Sequence, residues 1–284
     1  MSAQLDFAEI EQLKQKAAEA RRLVLETVHH AGAGHIGGPL SAIDMLVSLY
    51  FGVMNVNQND PKWAERDRFV LSKGHSAIAL YTVLAQRGYF PIEELKTFDE
   101  INSRLQAHPD MNLLPGLDMS SGSLGQGISA AVGMAIGAKK LGKAFYTYCM
   151  IGDGESQEGQ VWEAADIAAK YKLDNLIVLM DFNQLQQFGW DGSDGRERER
   201  PVTSPAERFK AFGWHTISAD GHHFEQIIDA CNEAKEVKDK PTIIIAKTIK
   251  GKGVSFMENQ YLWHSKIPTA EELKIASQEL MAGV

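Results

Sequence analysis

The chain has 284 residues, 44% of them hydrophobic and 23% charged, and carries a formal net charge of -8. That length suits one large α/β domain, and the acidic balance argues against nucleic acid, which needs a concentrated basic face. No stretch approaches the roughly 18 uninterrupted apolar residues of a membrane span. The acidic, amphipathic start MSAQLDFAEIEQLKQ does not read as a signal peptide. The two cysteines, Cys149 and Cys231, lie far apart in no metal-like spacing, so a reducing, cytoplasmic setting with inert thiols is expected.

Apolar residues at helical spacing (Leu13, Ala17, Ala20, Val24, Val28) predict a helix over residues 9–30, stopped by the glycine-rich run AGAGHIGG. Ser41 is expected to open a second helix, SAIDMLVSLYFG. Residues 68–71 read as a short strand running into Ser72-Lys73-Gly74-His75 and a helix to about residue 87. Residues 98–120 scatter Pro, Asn, Gly and Met and read as an irregular connection, of a length that usually carries function. After Gly122 the pattern repeats: helix 124–141, strand 144–151, helix 159–171, strand 175–181. Then follow helix 204–212, strand 214–218, helix 224–237, strand 242–247 and a terminal helix within 267–284.

Strands alternating with helices, two of them continuous apolar runs, predict an α/β fold with a doubly wound, mostly parallel sheet flanked by helices. One domain is expected across residues 1–284. Ligands of such sheets sit beyond the carboxyl ends of the strands. The charged run DGRERER at residues 194–200 reads as a solvated loop, with a lid or partner contact as the alternative.

Candidate chemistry falls where that rule places it. Gly152-Asp153-Gly154 follows one predicted strand, and Asn183 lies just beyond the next. A carboxylate and an amide oxygen at neighbouring strand ends, joined by the main-chain carbonyl of Leu185, form a set of hard oxygen donors. With diphosphate oxygens they complete the octahedron that Mg²⁺ prefers; Ca²⁺ and Mn²⁺ accept similar donors. Gly152 and Gly154 allow the backbone close to phosphate, and the helix near residue 159 is expected to aim its amides there. A lone GDG would be an ordinary turn; paired with the spaced Asn it is far more specific.

GDGESQEG followed by the strand and Asp-Phe-Asn resembles the thiamine-diphosphate motif, in the version found in transketolases. AGAGHIGGPLSAIDM, RDRFVLSKGHSAIALY, SGSLGQGISAAVGMAIG and KTIKGKGVSFMENQYLWH resemble further ordered segments of that family, covering nearly the whole chain. The resemblance implies thiamine diphosphate and Mg²⁺ as cofactors, held by Asp153, Asn183 and the Leu185 carbonyl, with Gly152 and Gly154 near the diphosphate. It places Gly122 and Leu124 along the cofactor rings. It assigns His35, His75, His108 and His264 to the active site, His75 and His264 also to the cofactor. Glu158 and Glu163 match acidic residues at a subunit interface, Glu158 with a catalytic link; ordinary first-turn glutamates are the alternative. His29, His30, His222 and His223 lack such support and are expected at helix ends or the surface. Gln186, Gln187, Phe188 and Trp190 are expected to shape the mouth of the site or to pack among themselves. No charged cluster reads as a sugar-phosphate clamp.

Ile36 and Ser123 stand where the family usually has Pro, and residues 189–201 depart more strongly. The family also needs a pyrimidine-binding domain that is not in this sequence. Either a second subunit brings it or the chain is a truncation; the start and the helix finishing in a short tail favour a split gene. The resemblance therefore implies an α₂β₂ assembly acting on sugars or sugar phosphates, transferring a two-carbon ketol unit. A deoxyxylulose-phosphate-synthase-like or oxo-acid-dehydrogenase-like subunit, or a non-catalytic cofactor-binding paralogue, are the alternatives.

Overall fold

A computed structural model describes residues 6–187 and 204–283. Its strands are β1 (Arg68–Leu71), β2 (Thr147–Gly152), β3 (Leu176–Phe182), β4 (His215–Asp220) and β5 (Thr242–Lys247). They form one sheet in the order β1-β2-β3-β5-β4, every pair parallel. The α-helices among the described residues are α1 (Phe7–Ala31), α2 (Gly37–Ser48), α3 (Ala77–Arg87), α4 (Gln126–Lys140), α5 (Gly159–Lys170), α6 (Pro205–Ala211), α7 (Phe224–Glu236) and α8 (Ala270–Ala282).

The alternation of side chains along a strand sorts the sheet residues between two cores. Tyr148, Met150, Ile177, Leu179 and Ile244 face α1, α2, α3 and α7. Their neighbours Cys149, Ile151, Val178, Met180, Ile243 and Ile245 face α4, α5 and α6. Both faces are covered, so the central strands are apolar throughout, as the sequence led us to expect. Each fully buried aliphatic side chain contributes about 1.5–3 kcal/mol relative to exposure. Cys149 and Cys231 are free and buried within these cores, and burial pushes the Cys231 thiol up to about 12.

Helix ends follow local chemistry. The Asp6 carboxylate accepts from the Glu9 backbone N–H at 2.8 Å, and the Glu9 carboxylate in turn accepts from Asp6 N at 2.9 Å, which starts α1. Gly32, at φ 64°, ends it. The second helix opens at Gly37 rather than at Ser41. Pro39 is tolerated because first-turn amides have no partner inside the helix. Ser41 is no cap: its hydroxyl donates to Asp181 on β3 at 2.6 Å.

Register sets the site. Gly152 lies opposite Asp181 where β2 pairs β3, so Asp153 and Asn183 leave adjacent strands at the same edge of the sheet. Between Gly154 and α5 a 3₁₀ turn, Glu155–Gln157, intervenes. α5 itself begins at Gly159, where the sequence placed it. No helix among the described residues is long and apolar enough to cross a membrane.

Candidate active site

A cleft of about 390 Å³ opens at this edge, lined by His35, His75, His264, Lys73, Lys250 and the Asp153–Asn183 loops. Gly122, Leu124, Gly152, Gly154, Glu158, Leu185, Gln186 and Gln187 complete much of its wall. The rings of His35, His75 and His264 form a triangle with centroid separations of 5.2, 5.1 and 5.2 Å. His108 stands just behind, 6.4 Å from His35, and packs on Gly122, where a Cβ would come within 3.2 Å of its ring. Four histidines scattered along the sequence thus meet in one place. Glu163 does not line the cleft; it is exposed on α5. Phe188, Trp190 and residues 189–201 lie outside the described residues.

Burial among cations favours the neutral form of the His35, His75 and His264 imidazoles. Desolvation, helped by His108, Lys250 and Lys73, lowers His35 to about 4. Desolvation and the Lys250 charge lower His264 to about 3, and burial with Lys73 lowers His75 further still. A neutral imidazole can accept at one nitrogen and donate from the other. For His264 the choice is fixed: Lys250 Nζ donates to Nδ1 at 2.9 Å, leaving the proton on Nε2. Lys250 also donates to the Gln186 carbonyl at 3.1 Å.

The floor is a buried charge network. Asp181, fully buried at the end of β3, pairs with Lys73 and accepts from Ser41, Thr248 and the Asn183 amide. Burial alone would raise its carboxyl, yet the Lys73 charge and these donors hold it below the usual range. Because Asp181 only accepts, it takes the NH₂ side of Asn183 at 3.2 Å. Asn183 Oδ1 is left to accept from Leu185 N at 3.0 Å. Asp153 accepts from Gly154 N at 2.8 Å and Gln184 N at 2.5 Å. Burial and the Asp181 charge nevertheless raise it to about 6. A carboxylate whose charged form is penalised in this way gains from a nearby cation.

Glu155 ties the walls together. Its buried carboxylate accepts from Gly125 N at 2.8 Å, Gly152 N at 3.0 Å and the Ser72 hydroxyl, joining the start of α4 to the ends of β1 and β2. Gly125 takes φ 82° to open α4, and a Cβ on Gly127 would strike Ser72 at 2.6 Å. The glycines of the SGSLGQG segment therefore let α4 abut β1 beside the cleft. Glu158, at the N-cap of α5, lines the cleft and packs on Gly125.

Among the described residues no three His, Cys, Asp or Glu side chains form a metal cluster. The Asp153, Asn183 and Leu185 set has one carboxylate and two amide-type oxygens, hard donors that fit Mg²⁺ once a ligand adds oxygens of its own.

Sequence reasoning missed Lys73, Asp181, Glu155 and Lys250. Lys73 and Lys250 both reach the cleft wall, from positions far apart in the sequence. The signal available was Lys73 itself, which follows the end of β1 at the ligand-facing edge of the sheet. His222 sits at a helix end, one residue before the N-cap of α7, but its half-buried ring bridges Asp44 and Ile249 N at 2.6 and 2.8 Å. His29 bonds the Pro268 carbonyl from the end of α1, and His223 pairs with Glu225 at the surface.

The profile of the family described as "Transketolase, thiamine diphosphate binding domain" matches residues 13–281. The chain belongs to the transketolase family. It is 45% identical to the 6-deoxy-6-sulfo-D-fructose transketolase subunit of a Clostridium species, over 94% of this chain and 96% of that protein. It is 40% identical to an apulose-4-phosphate transketolase subunit from Phocaeicola vulgatus, over 96% and 95% of the two chains. Mouse transketolase matches at 42% identity over 92% of this chain but 41% of its own length. Transketolase from Leishmania mexicana superposes with a TM-score of 0.87 at 32% identity, covering 95% of this chain and 41% of that one. This transketolase-family chain thus spans about two fifths of full-length transketolases and nearly all of the relatives named as subunits.

Proposed function

We propose that this chain is the diphosphate-binding subunit of a two-subunit transketolase. The enzyme moves a two-carbon ketol unit from a ketose or ketose-phosphate donor to an aldose acceptor. One observation carries the reading: three neutral imidazoles, about 5 Å apart, crown a cleft floored by hard oxygen donors on adjacent strands. The match to subunit-sized relatives supports it.

In this reading Asp153, Asn183 and the Leu185 carbonyl hold Mg²⁺, while Gly152, Gly154, His75 and His264 receive the diphosphate. Gly122 and Leu124 border the rings. Bound thiamine diphosphate supplies the carbanion chemistry, and the protein supplies orientation and electrostatics. His35, His75, His108 and His264 hold and move protons at the sugar hydroxyls, each ring offering one nitrogen to accept and one to donate. Lys250 presents His264 as an Nε2–H donor, and Lys73 sets a positive charge toward an anionic ligand. Residues 1–284 act as one domain; a partner subunit brings the pyrimidine-binding domain, in an α₂β₂ assembly with closed symmetry. Glu158 and Glu163 face that assembly, Glu158 from the cleft itself. The two buried thiols suit the cytoplasm.

The test is reconstitution with a pyrimidine-domain partner, Mg²⁺ and thiamine diphosphate. Ketol transfer is expected from the mixture and not from this chain alone. Substantial activity of the chain alone contradicts the two-subunit reading, and inactivity with every such partner favours a non-catalytic paralogue.

A further inference from the structure

The loop that follows β5 reaches the cleft through Lys250, and it is held residue by residue. Thr248 donates its hydroxyl to Asp181, and Lys250 donates to His264 and Gln186. Gly251 N donates to the Gly37 carbonyl at 3.0 Å. Gly251 takes φ 79°, and a Cβ there would meet the Met257 carbonyl at 2.4 Å, so the turn admits little else. Between Thr248 and Lys250, the Ile249 N–H donates to His222 Nε2 at 2.8 Å.

That bond fixes the state of His222. Nε2 must carry a lone pair to accept it, so the ring proton is on Nδ1, where it donates to Asp44 Oδ2 at 2.6 Å. Asp44 is buried and is gripped by both terminal nitrogens of Arg21, at 3.0 and 2.6 Å. The result is a chain of four groups: guanidinium on α1, carboxylate on α2, imidazole between β4 and α7, and the backbone of the loop after β5. Arg21, Asp44 and His222 do not line the cleft.

We propose that His222 is a positioning residue for catalysis. Held by Arg21 and Asp44, it fixes the peptide before Lys250 and thereby the contact that sets the proton on His264. Deleting its acceptor leaves the Ile249 amide without that partner, one residue before the lysine that must aim at His264 Nδ1. Lys250 then has alternatives, and His264 loses the bond that selects its tautomer. The activity readout rests on the ketol-transfer reading; the spectroscopic one does not.

Two isosteric replacements separate positioning from simple fold support. His222→Gln places a carbonyl oxygen near Nε2 and keeps the Ile249 bond. His222→Asn places an amide near Nδ1, keeping the Asp44 bond but losing the acceptor for Ile249. In the full chain labelled with ¹⁵N-histidine, the His264 Nδ1 and Nε2 shifts report its tautomer. Wild type and His222→Gln are expected to show one tautomer with the proton on Nε2; His222→Asn is expected to show a mixture. In the complex, His222→Asn is expected to lower kcat/KM about tenfold, chiefly through kcat, with His222→Gln within about twofold of wild type. Equal losses in both variants, with unchanged His264 shifts, overturn the proposal. Should His222→Asn fail to fold, hydrogen exchange of the wild-type full chain decides instead. The Ile249 amide is expected to be strongly protected, and exchange at the rate of an unprotected peptide refutes the proposal. If the wild-type complex itself transfers no ketol unit, the functional reading fails, while the tautomer and exchange results still decide this one.

Discussion

Replacing Lys73 with methionine tests the buried charge network under the cleft. Methionine keeps the length of the side chain and removes only the ammonium, so Asp181 retains Ser41, Thr248 and Asn183 as donors. Deleting one partner of a buried ion pair costs about 3–5 kcal/mol, because the other charge stays buried. The three surviving donors keep the loss near the lower end, about 3 kcal/mol. In a chain of this size that corresponds to a fall in Tm of roughly 6 to 12 °C. The depressed Asp181 carboxyl contributes stability above its unfolded pKa of about 3.9 and loses it as pH falls through the folded value. The penalty of Lys73→Met is therefore full at pH 7 and shrinks as acid protonates Asp181. Urea unfolding followed by circular dichroism reads it directly. Adding Asp181→Asn removes the stranded charge, and the double variant is expected to regain about 2 kcal/mol over Lys73→Met. A single-variant loss below about 1 kcal/mol, or no recovery in the double variant, refutes the account of this pair.

Other perturbations reach other parts of the site. Glu155→Gln keeps the shape but turns an NH₂ toward one of the two backbone amides it must accept; a thermal melt is expected to show a loss of about 1–3 kcal/mol, and an unchanged melt contradicts the clamp. His35, lowered to about 4, binds a proton in the unfolded chain before the folded one, so it contributes stability above pH 6.5 that is lost between 6.5 and about 4. His35→Gln is accordingly expected to flatten the drop in unfolding free energy between pH 7 and 4.5, and an identical slope in the variant counts against the buried neutral imidazole. His108→Ala is expected to reduce turnover of the complex more than cofactor affinity; the reverse would make His108 a diphosphate ligand.

Much of the fold was legible because its signals are local. Continuous apolar runs gave β3 and β5, helical spacing gave α1, and the strand-end positions of Asp153 and Asn183 followed from alternation alone. The four clustered histidines needed the family resemblance, since each beside its glycine or loop reads as an ordinary hydrogen-bonding residue. What stayed hidden depends on charges whose partners lie far along the chain. Lys73 and Lys250 show no role in sequence, because Asp181, Gly38, His264 and Gln186 surround them only in the fold. Asp181 itself looked like the last residue of a strand, and nothing near it in sequence announces Lys73, Ser41 or Thr248. Ser41 misled for a related reason: a hydroxyl before an apolar run is a good cap signal, but here a buried carboxylate claims it. His222 shows the same limit, because its two partners, Asp44 and Ile249, belong to different layers of the fold.

The central claim concerns Asp153 and Asn183, and calorimetric titration of thiamine diphosphate into the reconstituted complex tests it most directly. With Mg²⁺ present the wild-type complex is expected to bind tightly, and chelating the metal or introducing Asp153→Ala is expected to abolish that binding. Affinity that is undiminished in Asp153→Ala, with or without the cation, contradicts the assignment of these strand ends.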